Sequence, residues 1–138
     1  MGVSVSLSEK EEHWKAFLKS LKERGLRGVK LIISDAHTGL GAARRAVFGS
    51  IPWQRCQFHL QQNAGAYVPR QSVRIEVAAD VRAIFNASDR RTTEELLQST
   101  ITKYATTAPK LSAWMEENLP DSFTAFDFPL EHRKSIRT

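Results

Sequence analysis

The chain has 138 residues, a length that suits one domain or part of a larger one, and 20 Lys and Arg against 15 Asp and Glu give a formal charge of +5. Its 41% hydrophobic and 25% charged content is typical of a globular protein and argues against a disordered or collagen-like chain. Because no long apolar run and no basic, apolar leader occurs, we expect neither a membrane span nor a secretion signal, and a cytoplasmic location. The single cysteine, Cys56, excludes an internal disulfide framework.

The chain opens with a predicted strand and helix. Residues 3–7 alternate between apolar and polar side chains, as a half-buried strand does. Ser8 and Glu11 form a capping box that predicts the start of a helix running to about Arg24. Gly25 is a natural stop for that helix.

Two further strands and a helix complete the first half. A β-branched apolar run over residues 29–34 predicts a buried strand, and residues 42–48 predict a helix entered through a glycine-containing loop. Residues 53–58 predict the next strand, behind Pro52. The fold class predicted for this half is therefore α/β, in the order β-α-β-α-β.

The second half is predicted to be mostly helical. One helix presents a single apolar face formed by Ile75, Ala78, Val81, Ala83, Ile84 and Phe85. Thr92 and Glu95 predict the capped start of a second helix, and Pro109 the first turn of a third that ends before Pro120. A last strand is predicted only at the aromatic residues 123–128.

The positive charge is unevenly distributed along the chain. Residues 36–75 contain no Asp or Glu, but they contain Arg44, Arg45, Arg55, Arg70 and Arg74. Such a segment favours contact with phosphates, as in a nucleic-acid-binding surface. Charge alone leaves open the alternative of a solvated face that binds nothing in particular.

Asp35 is the strongest single candidate for chemistry. It follows the predicted strand 29–34 and precedes a glycine-containing loop and a helix, the position at which open α/β sheets bind ligands. A carboxylate there can hold Mg²⁺, accept a phosphoryl group or bind a ribose hydroxyl, and it can also merely cap the loop. His37 lies two residues later and can orient a phosphate or the Asp35 side chain.

Cys56 and His59 form a Cys-x-x-His pair of metal-ligating residue types. A structural zinc ion needs four ligands, and no second pair with suitable spacing follows, so the pattern disfavours zinc. A nucleophilic cysteine is disfavoured as well, because Cys56 falls within a predicted strand between aromatic residues and is expected to be buried.

Two sequence boxes in the first half of the chain are informative when taken together. The first is an Asp-Ala-His-x-Gly-Leu box over residues 35–40, which includes Gly39. The second is a Trp-Gln-Arg-Cys-x-x-His-x-x-x-Asn box over residues 53–63. Together, the two boxes closely resemble the Mutator-type transposases of bacterial insertion sequences. Residues 24–26, 128–129 and 132–138 also look like this family, so the resemblance covers nearly the whole chain.

The resemblance implies a ribonuclease H-like DDE domain that cleaves and joins DNA with Mg²⁺ held by two Asp and one Glu. Asp35 matches the second Asp and is the expected catalytic metal ligand, with His37, Gly39, Cys56 and His59 supporting the site. The first Asp and the Glu of the family pattern have no match in these 138 residues. One carboxylate cannot hold a two-metal site, so the chain is expected to be an internal fragment of the catalytic region, inactive alone.

The resemblance also implies a division of the chain. Residues 1–62 correspond to a partial ribonuclease H-like core, residues 63–120 to a helical insertion, and residues 121–138 to a segment returning towards the missing Glu. The expected partners are transposon ends and target DNA at the nucleoid, with no membrane; homo-oligomerisation is left open. The rival interpretations are a noncatalytic basic nucleic-acid-binding module and a small α/β protein in which Asp35 accepts a phosphoryl group.

Overall fold

A computed structural model describes residues 11–133 and residue 136 of the chain. The described residues are mostly helical, with one small parallel sheet of two strands, so the fold class is α/β with a helical character. The predicted strand 3–7 and Ser8 of the predicted capping box lie outside the described residues. The chain divides into two compact units, Met1–Trp53 and Gln54–Thr138.

The first unit consists of two helices and the start of the sheet. Its elements are α1 (Glu11–Glu23), β1 (Ile32–Ser34), α2 (Thr38–Phe48) and the first residue of β2 (Trp53–Arg55). Helix α1 packs against α2, and the Lys22 ammonium lies 5.5 Å from the centre of the Phe48 ring. Ile32 N–H donates to the Pro52 carbonyl at 3.0 Å, which ties the start of β1 to the residue before β2.

Gly25 ends α1 as predicted, with φ at +99°. The Leu26 N–H donates to Leu21 O and the Gly25 N–H donates to Lys22 O, both at 3.1 Å, which together form a Schellman motif. The left-handed backbone at this position is accessible to glycine without steric cost. Helix α2 begins four residues earlier than predicted, because the loop expected before Ala42 is itself helical.

The second unit is a packed group of helices. Its α-helices are α3 (Gln57–Ala64), α4 (Gln71–Phe85), α5 (Arg90–Tyr104), α6 (Pro109–Asn118) and α7 (Leu130–Arg133). Two 3₁₀ helices, Gly65–Tyr67 and Leu119–Asp127, connect them. One continuous core of buried side chains joins these helices, and its fully enclosed members include Leu60, Ile84, Leu111, Met115, Leu119 and Phe123. None of the helices in the described ranges is both long and apolar enough to cross a membrane.

The predicted strand over residues 53–58 is shorter in the structure. Strand β2 ends at Arg55, and α3 begins at Gln57. The cause is tertiary: Gln54 is completely buried, donates from Nε2 to Ile136 O at 2.6 Å, and accepts at Oε1 from Ala125 N–H at 2.6 Å. Gln57 is also buried and donates to Ser122 O at 3.1 Å. These bonds satisfy polar groups that would otherwise be costly to bury.

The prediction of a strand over residues 123–128 is wrong, because most of this stretch lies in the second 3₁₀ helix. A 3₁₀ helix has three residues per turn, so Phe123 and Phe126 fall on the same face. Their rings meet edge to face with centroids 6.0 Å apart. The spacing of three residues between Phe123 and Phe126 indicates a 3₁₀ helix, whereas the aromatic content of the stretch wrongly indicated a strand.

Two details of the predicted helices are also corrected. The buried face of α4 consists of Val77, Val81, Ile84 and Phe85. Ile75, predicted to lie on that face, is 80% exposed, and Ala78 and Ala83 are exposed as well. Helix α5 is capped by Asp89, whose carboxylate accepts from Thr92 N–H at 2.7 Å, and not by Thr92 itself. The predicted start of α6 at Pro109 is confirmed.

Candidate functional site

Asp35 is the first residue after β1, and its side chain is exposed. Two hydrogen bonds hold its backbone, because its carbonyl oxygen accepts from His37 N–H and from Ser34 Oγ, each at 3.0 Å. The carboxylate therefore projects from a short, fixed turn between a strand and a helix. That is the position at which the sequence pattern placed it.

His37 caps the N-terminus of α2. Its backbone is extended, its Nδ1 accepts from Leu40 N–H at 3.4 Å, and its carbonyl oxygen accepts from Gly41 N–H at 2.7 Å. This use of Nδ1 as an acceptor leaves Nε2 as the nitrogen that carries the proton of a neutral ring. Gly39 lies in the first turn of α2 and is partly buried. His37 thus has a defined role in ordering the turn that carries Asp35.

A cleft of about 300 Å³ lies at this turn, entirely within the first unit. Asp35 is the one acidic residue among those that line it, whereas two arginines do so. The lining residues are Ser34, Asp35, Ala36, His37, Thr38, Gly41, Arg44, Arg45 and Trp53. The arrangement places a carboxylate, a helix N-terminus and two guanidinium groups around one space.

Trp53 and Arg44 form one wall of this cleft. The Arg44 guanidinium carbon lies 4.9 Å from the centre of the Trp53 indole, and the indole Nε1–H donates to Ser34 Oγ at 2.9 Å. Arg44 is partly buried, and its Nε is a buried atom without a hydrogen-bond partner in the described part of the chain. Burial and the adjacent Arg45 lower the pKa of Arg44 from its usual value.

The five arginines predicted to contact DNA are divided between the two units. Arg44 and Arg45 line the cleft with Asp35. In the second unit, Arg55 donates from Nη1 to Asn118 Oδ1 at 2.6 Å, so this guanidinium is already engaged within the fold. Arg70 and Arg74 are exposed, at the start of α4 and in its first turns. Their predicted contact with phosphates stays a prediction.

Cys56 and His59 both lie in the second unit. Cys56 is buried, as expected, but it is the N-cap residue of α3 and not a strand residue. His59 is exposed on α3, where its ring lies 5.6 Å from that of Phe58 in an edge-to-face contact. Their predicted support of the site stays a prediction.

The described residues contain no group of three or more His, Cys, Asp or Glu side chains placed to hold a metal ion. Within the cleft, the Asp35 carboxylate offers an oxygen ligand of the kind that Mg²⁺ prefers. The residues present thus fit one side of a divalent-metal site.

A second cavity, of about 500 Å³, lies between α4 and α5 in the second unit. On its wall, Lys103 forms ion pairs with Glu76 at 2.7 Å and Asp80 at 2.8 Å, and the Tyr104 hydroxyl donates to Asp80 at 2.5 Å. Burial and this hydrogen bond raise the pKa of Tyr104 to about 12. The network joins the two helices through one ammonium group that pairs with two carboxylates.

Sequence reasoning missed two lining residues with defined contacts, Ser34 and Trp53. Trp53 was recognised as part of a motif but was given no role in the site. Strand β1 is shorter than the predicted strand 29–34 and only half-buried, not buried as expected. A polar residue at the end of this strand, followed 19 positions later by a tryptophan at the start of its neighbour, carries no local periodic signal. The hydrogen bond between them arises from strand pairing.

Comparisons with known proteins agree with the resemblance of the two boxes. The sequence model of the Mutator family of transposases matches residues 1–138. Over 138 residues, the chain is 56% identical to the transposase for insertion sequence element IS406 of Burkholderia multivorans and 33% identical to that for ISRM5 of Rhizobium meliloti. It is 36% identical over 126 residues to the transposase for IS256 in transposon Tn4001 of Staphylococcus aureus.

The matched region is a part of each of these relatives. All of the chain aligns with 36% of the IS406 protein and with 34% of the ISRM5 protein, and 89% of it aligns with 32% of the IS256 protein. The chain therefore spans about a third of the length of the curated relatives it matches. Since the family match extends over its whole length, the chain belongs to the Mutator family of transposases.

Proposed function

We propose that the chain forms part of the catalytic region of an insertion-sequence transposase, which cleaves and joins DNA by metal-dependent phosphoryl transfer. In this proposal Asp35 is one of three acids of a ribonuclease H-like DDE site, and the other two acids come from residues beyond these 138. The substrates are the ends of the element and a target duplex. Family membership supports the transposase assignment.

The observation that carries the proposal is the placement of Asp35. Its exposed carboxylate follows β1, on a turn fixed by two hydrogen bonds, in a cleft that it shares with Arg44 and Arg45. Enzymes that transfer phosphoryl groups commonly use carboxylates to bind divalent metal ions. They also use arginine or lysine side chains to neutralise the charge on the phosphate oxygens. When bound, Mg²⁺ would stabilise the charge that develops on the reacting oxygens.

The residues of the chain would have separate roles in that reaction. Asp35 would hold metal, and His37 would keep the strand-to-helix turn in place through its contacts with Leu40 and Gly41. Arg44 and Arg45 would neutralise phosphate charge in the cleft. The buried Cys56 at the start of α3 and the exposed His59 would support the local fold around the second box.

The first test uses the complete transposase that contains these residues. Asp35→Asn removes the charge of the proposed metal ligand with almost no change in volume, so cleavage of a duplex carrying the element's terminal repeat should fall by at least about 100-fold. Glu116→Gln, at an exposed acid of the second unit, is the matched control and should retain activity. Activity of Asp35→Asn equal to the wild type would refute the role of Asp35.

The second test uses the 138 residues alone. Because a single carboxylate cannot clamp two cations roughly 4 Å apart, this chain should neither nick nor join supercoiled plasmid DNA in Mg²⁺ or Mn²⁺. The measurement is the fraction of nicked plasmid after prolonged incubation. Nicking that disappears in Asp35→Ala would show that the chain holds a complete site.

A noncatalytic nucleic-acid-binding module is the second candidate function. The two arginines of the cleft and the exposed Arg70 and Arg74 favour it, since all four lie in a segment without acids. The Asp35→Asn variant of the complete transposase separates the two functions. A binding module would tolerate Asp35→Asn without loss, whereas a catalytic region would not.

A further inference from the structure

Trp53 connects the two chemically different sides of the cleft. Its indole Nε1–H donates to Ser34 Oγ at 2.9 Å, and the Ser34 hydroxyl donates in turn to the Asp35 carbonyl oxygen at 3.0 Å. The face of the same ring supports the Arg44 guanidinium at 4.9 Å. One side chain therefore contacts both the turn that carries the carboxylate and the cation beside it.

Arg44 has the surroundings of an arginine that binds an anion. Its guanidinium carbon lies 4.9 Å from the centre of the Trp53 ring, within the range of a cation–π contact. Among the described residues Arg44 makes no ion pair with an acid, and its buried Nε lacks a hydrogen-bond partner. Charge repulsion from Arg45 adds to the need for a negative ligand.

The charges of the cleft point to the same class of ligand. Two guanidinium groups and one carboxylate line it, which leaves an excess of one positive charge before any metal is bound. A planar guanidinium donates two parallel hydrogen bonds to a phosphate, a geometry that an ammonium group cannot reproduce. A phosphodiester next to Asp35 fits this arrangement of donors.

We propose that Arg44, held over the Trp53 ring, contacts a phosphate of the DNA strand whose reacting phosphodiester lies at Asp35, and that Trp53 is a positioning residue for both. The inference rests on the proposed function. It separates Arg44 from the exposed Arg70 and Arg74, which would add affinity for DNA without affecting the reacting phosphate. It also gives Ser34 a role, as the link between Trp53 and the Asp35 backbone.

The test measures kcat and KM for cleavage of a terminal-repeat duplex by the complete transposase. Arg44→Gln should lower kcat/KM by roughly 10- to 100-fold, the range for losing a hydrogen bond to a charged group. Arg44→Lys should recover little of this loss, because an ammonium group cannot stack on an indole or bind a phosphate bidentately as a planar guanidinium can. Arg27→Gln, at an exposed arginine of the same unit outside the cleft, should retain the wild-type value.

Variants of Trp53 separate its two contacts. Trp53→Phe keeps an aromatic face for Arg44 and loses only the N–H bond to Ser34, whereas Ser34→Ala also loses the bond to the Asp35 carbonyl. Ser34→Ala should therefore cost at least as much as Trp53→Phe, and the double variant should cost less than the sum of the two, because they share one bond. Trp53→Leu loses both contacts, and combined with Arg44→Gln it should cost less than the sum of the two single effects. Thermal unfolding checks each variant, and if Trp53→Leu does not fold, the Trp53→Phe and Arg44 variants decide.

The outcomes distinguish this inference from the proposed function. If Asp35→Asn abolishes cleavage while Arg44→Gln behaves as Arg27→Gln does, the inference is wrong and the proposed function stands. If Asp35→Asn retains cleavage, the proposed function itself is wrong. Full rescue by Arg44→Lys would show that charge alone matters and would overturn the role of the Trp53 face.

Discussion

The hydroxyl of Tyr104 lies inside the second unit, where it donates to Asp80 across the contact between α4 and α5. Burial disfavours the charged phenolate, and the nearby carboxylate disfavours it further, which raises the pKa of Tyr104 to about 12. An unfolded tyrosine ionises near 10. The difference makes the stability of this helix pair dependent on pH in the alkaline range.

We expect the contribution of Tyr104 to stability to be fully present below pH 10 and to be lost as the pH rises from about 10 to about 12. In that window the unfolded chain releases the phenolic proton and the folded chain retains it, so the free energy of unfolding falls. Urea denaturation at several pH values measures the effect. Tyr104→Phe should lose this part of the decline, whereas Tyr67→Phe, at an exposed tyrosine, should keep it.

The residues of the candidate site differ in how far the sequence could predict them. Asp35 and His37 follow a short β-branched run, so their place at the end of a strand was readable from local pattern. Trp53 and Ser34 meet because two strands pair, and their contact has no counterpart in local sequence. The N-cap of α5 was predicted at the wrong residue, because Asp89 and Thr92 are both good capping residues. Only the backbone conformation, which is extended at Asp89, decides between them.

At the level of elements, the ends of α2 and α3 offer a matched pair of glycines. Gly49 and Gly65 are C-cap residues with the same φ of −58° and with ψ of −26° and −30°. A Cβ added at Gly49 would lie 2.5 Å from the Arg45 carbonyl oxygen, whereas one at Gly65 would meet nothing within 4 Å. The two positions thus share a backbone conformation and differ in the space around them.

Gly49→Ala should therefore destabilise the first unit by about 1–3 kcal/mol, because backbone atoms must move to admit the methyl group. Gly65→Ala should be neutral or stabilising by up to about 1 kcal/mol, since it only restricts the unfolded chain. Urea denaturation, combined with amide hydrogen exchange of α2 and α3, assigns each effect to its unit. Equal effects at the two positions would contradict this account.

The strands were predicted less well than the helices, and for tertiary reasons. The apolar and aromatic residues of 53–58 read as a strand, but the buried amides of Gln54 and Gln57 bond to the second 3₁₀ helix, so the chain turns into α3 after Arg55. Sequence patterns record side-chain polarity and cannot show that a distant carbonyl will satisfy a buried amide. Helix α6 was readable because Pro109 and its apolar spacing are local signals.

At the level of the whole molecule, the positive charge is expected to act on DNA without reading its sequence. The arginines of the acid-free segment can neutralise phosphates, and base recognition requires contacts to base edges in a groove. Binding of the 138-residue chain to duplex DNA should therefore be weak, should fall steeply with salt, and should be similar for unrelated sequences. Each phosphate contact adds about one to the slope of log K against log salt.

Fluorescence anisotropy at several salt concentrations tests this expectation. Replacing Arg44 and Arg45 with Ala should lower affinity equally for all duplexes and reduce the slope by up to about two. Replacing Arg70 and Arg74 should act similarly if they also contact phosphates. A sequence-specific footprint, or binding that does not change at high salt, would show that base-reading residues lie within the chain.

The buried amide of Gln54 also sets an order of events during synthesis. Its two partners, Ala125 and Ile136, lie 71 and 82 residues further along the chain. At about 5–20 residues per second, a ribosome needs on the order of 10 s to make the residues that separate them. Helices α4 to α6 have local contacts and can form in that interval. The side chain of Gln54 is therefore expected to stay hydrated, and this part of the core unfinished, until Ala125 and Ile136 have left the exit tunnel.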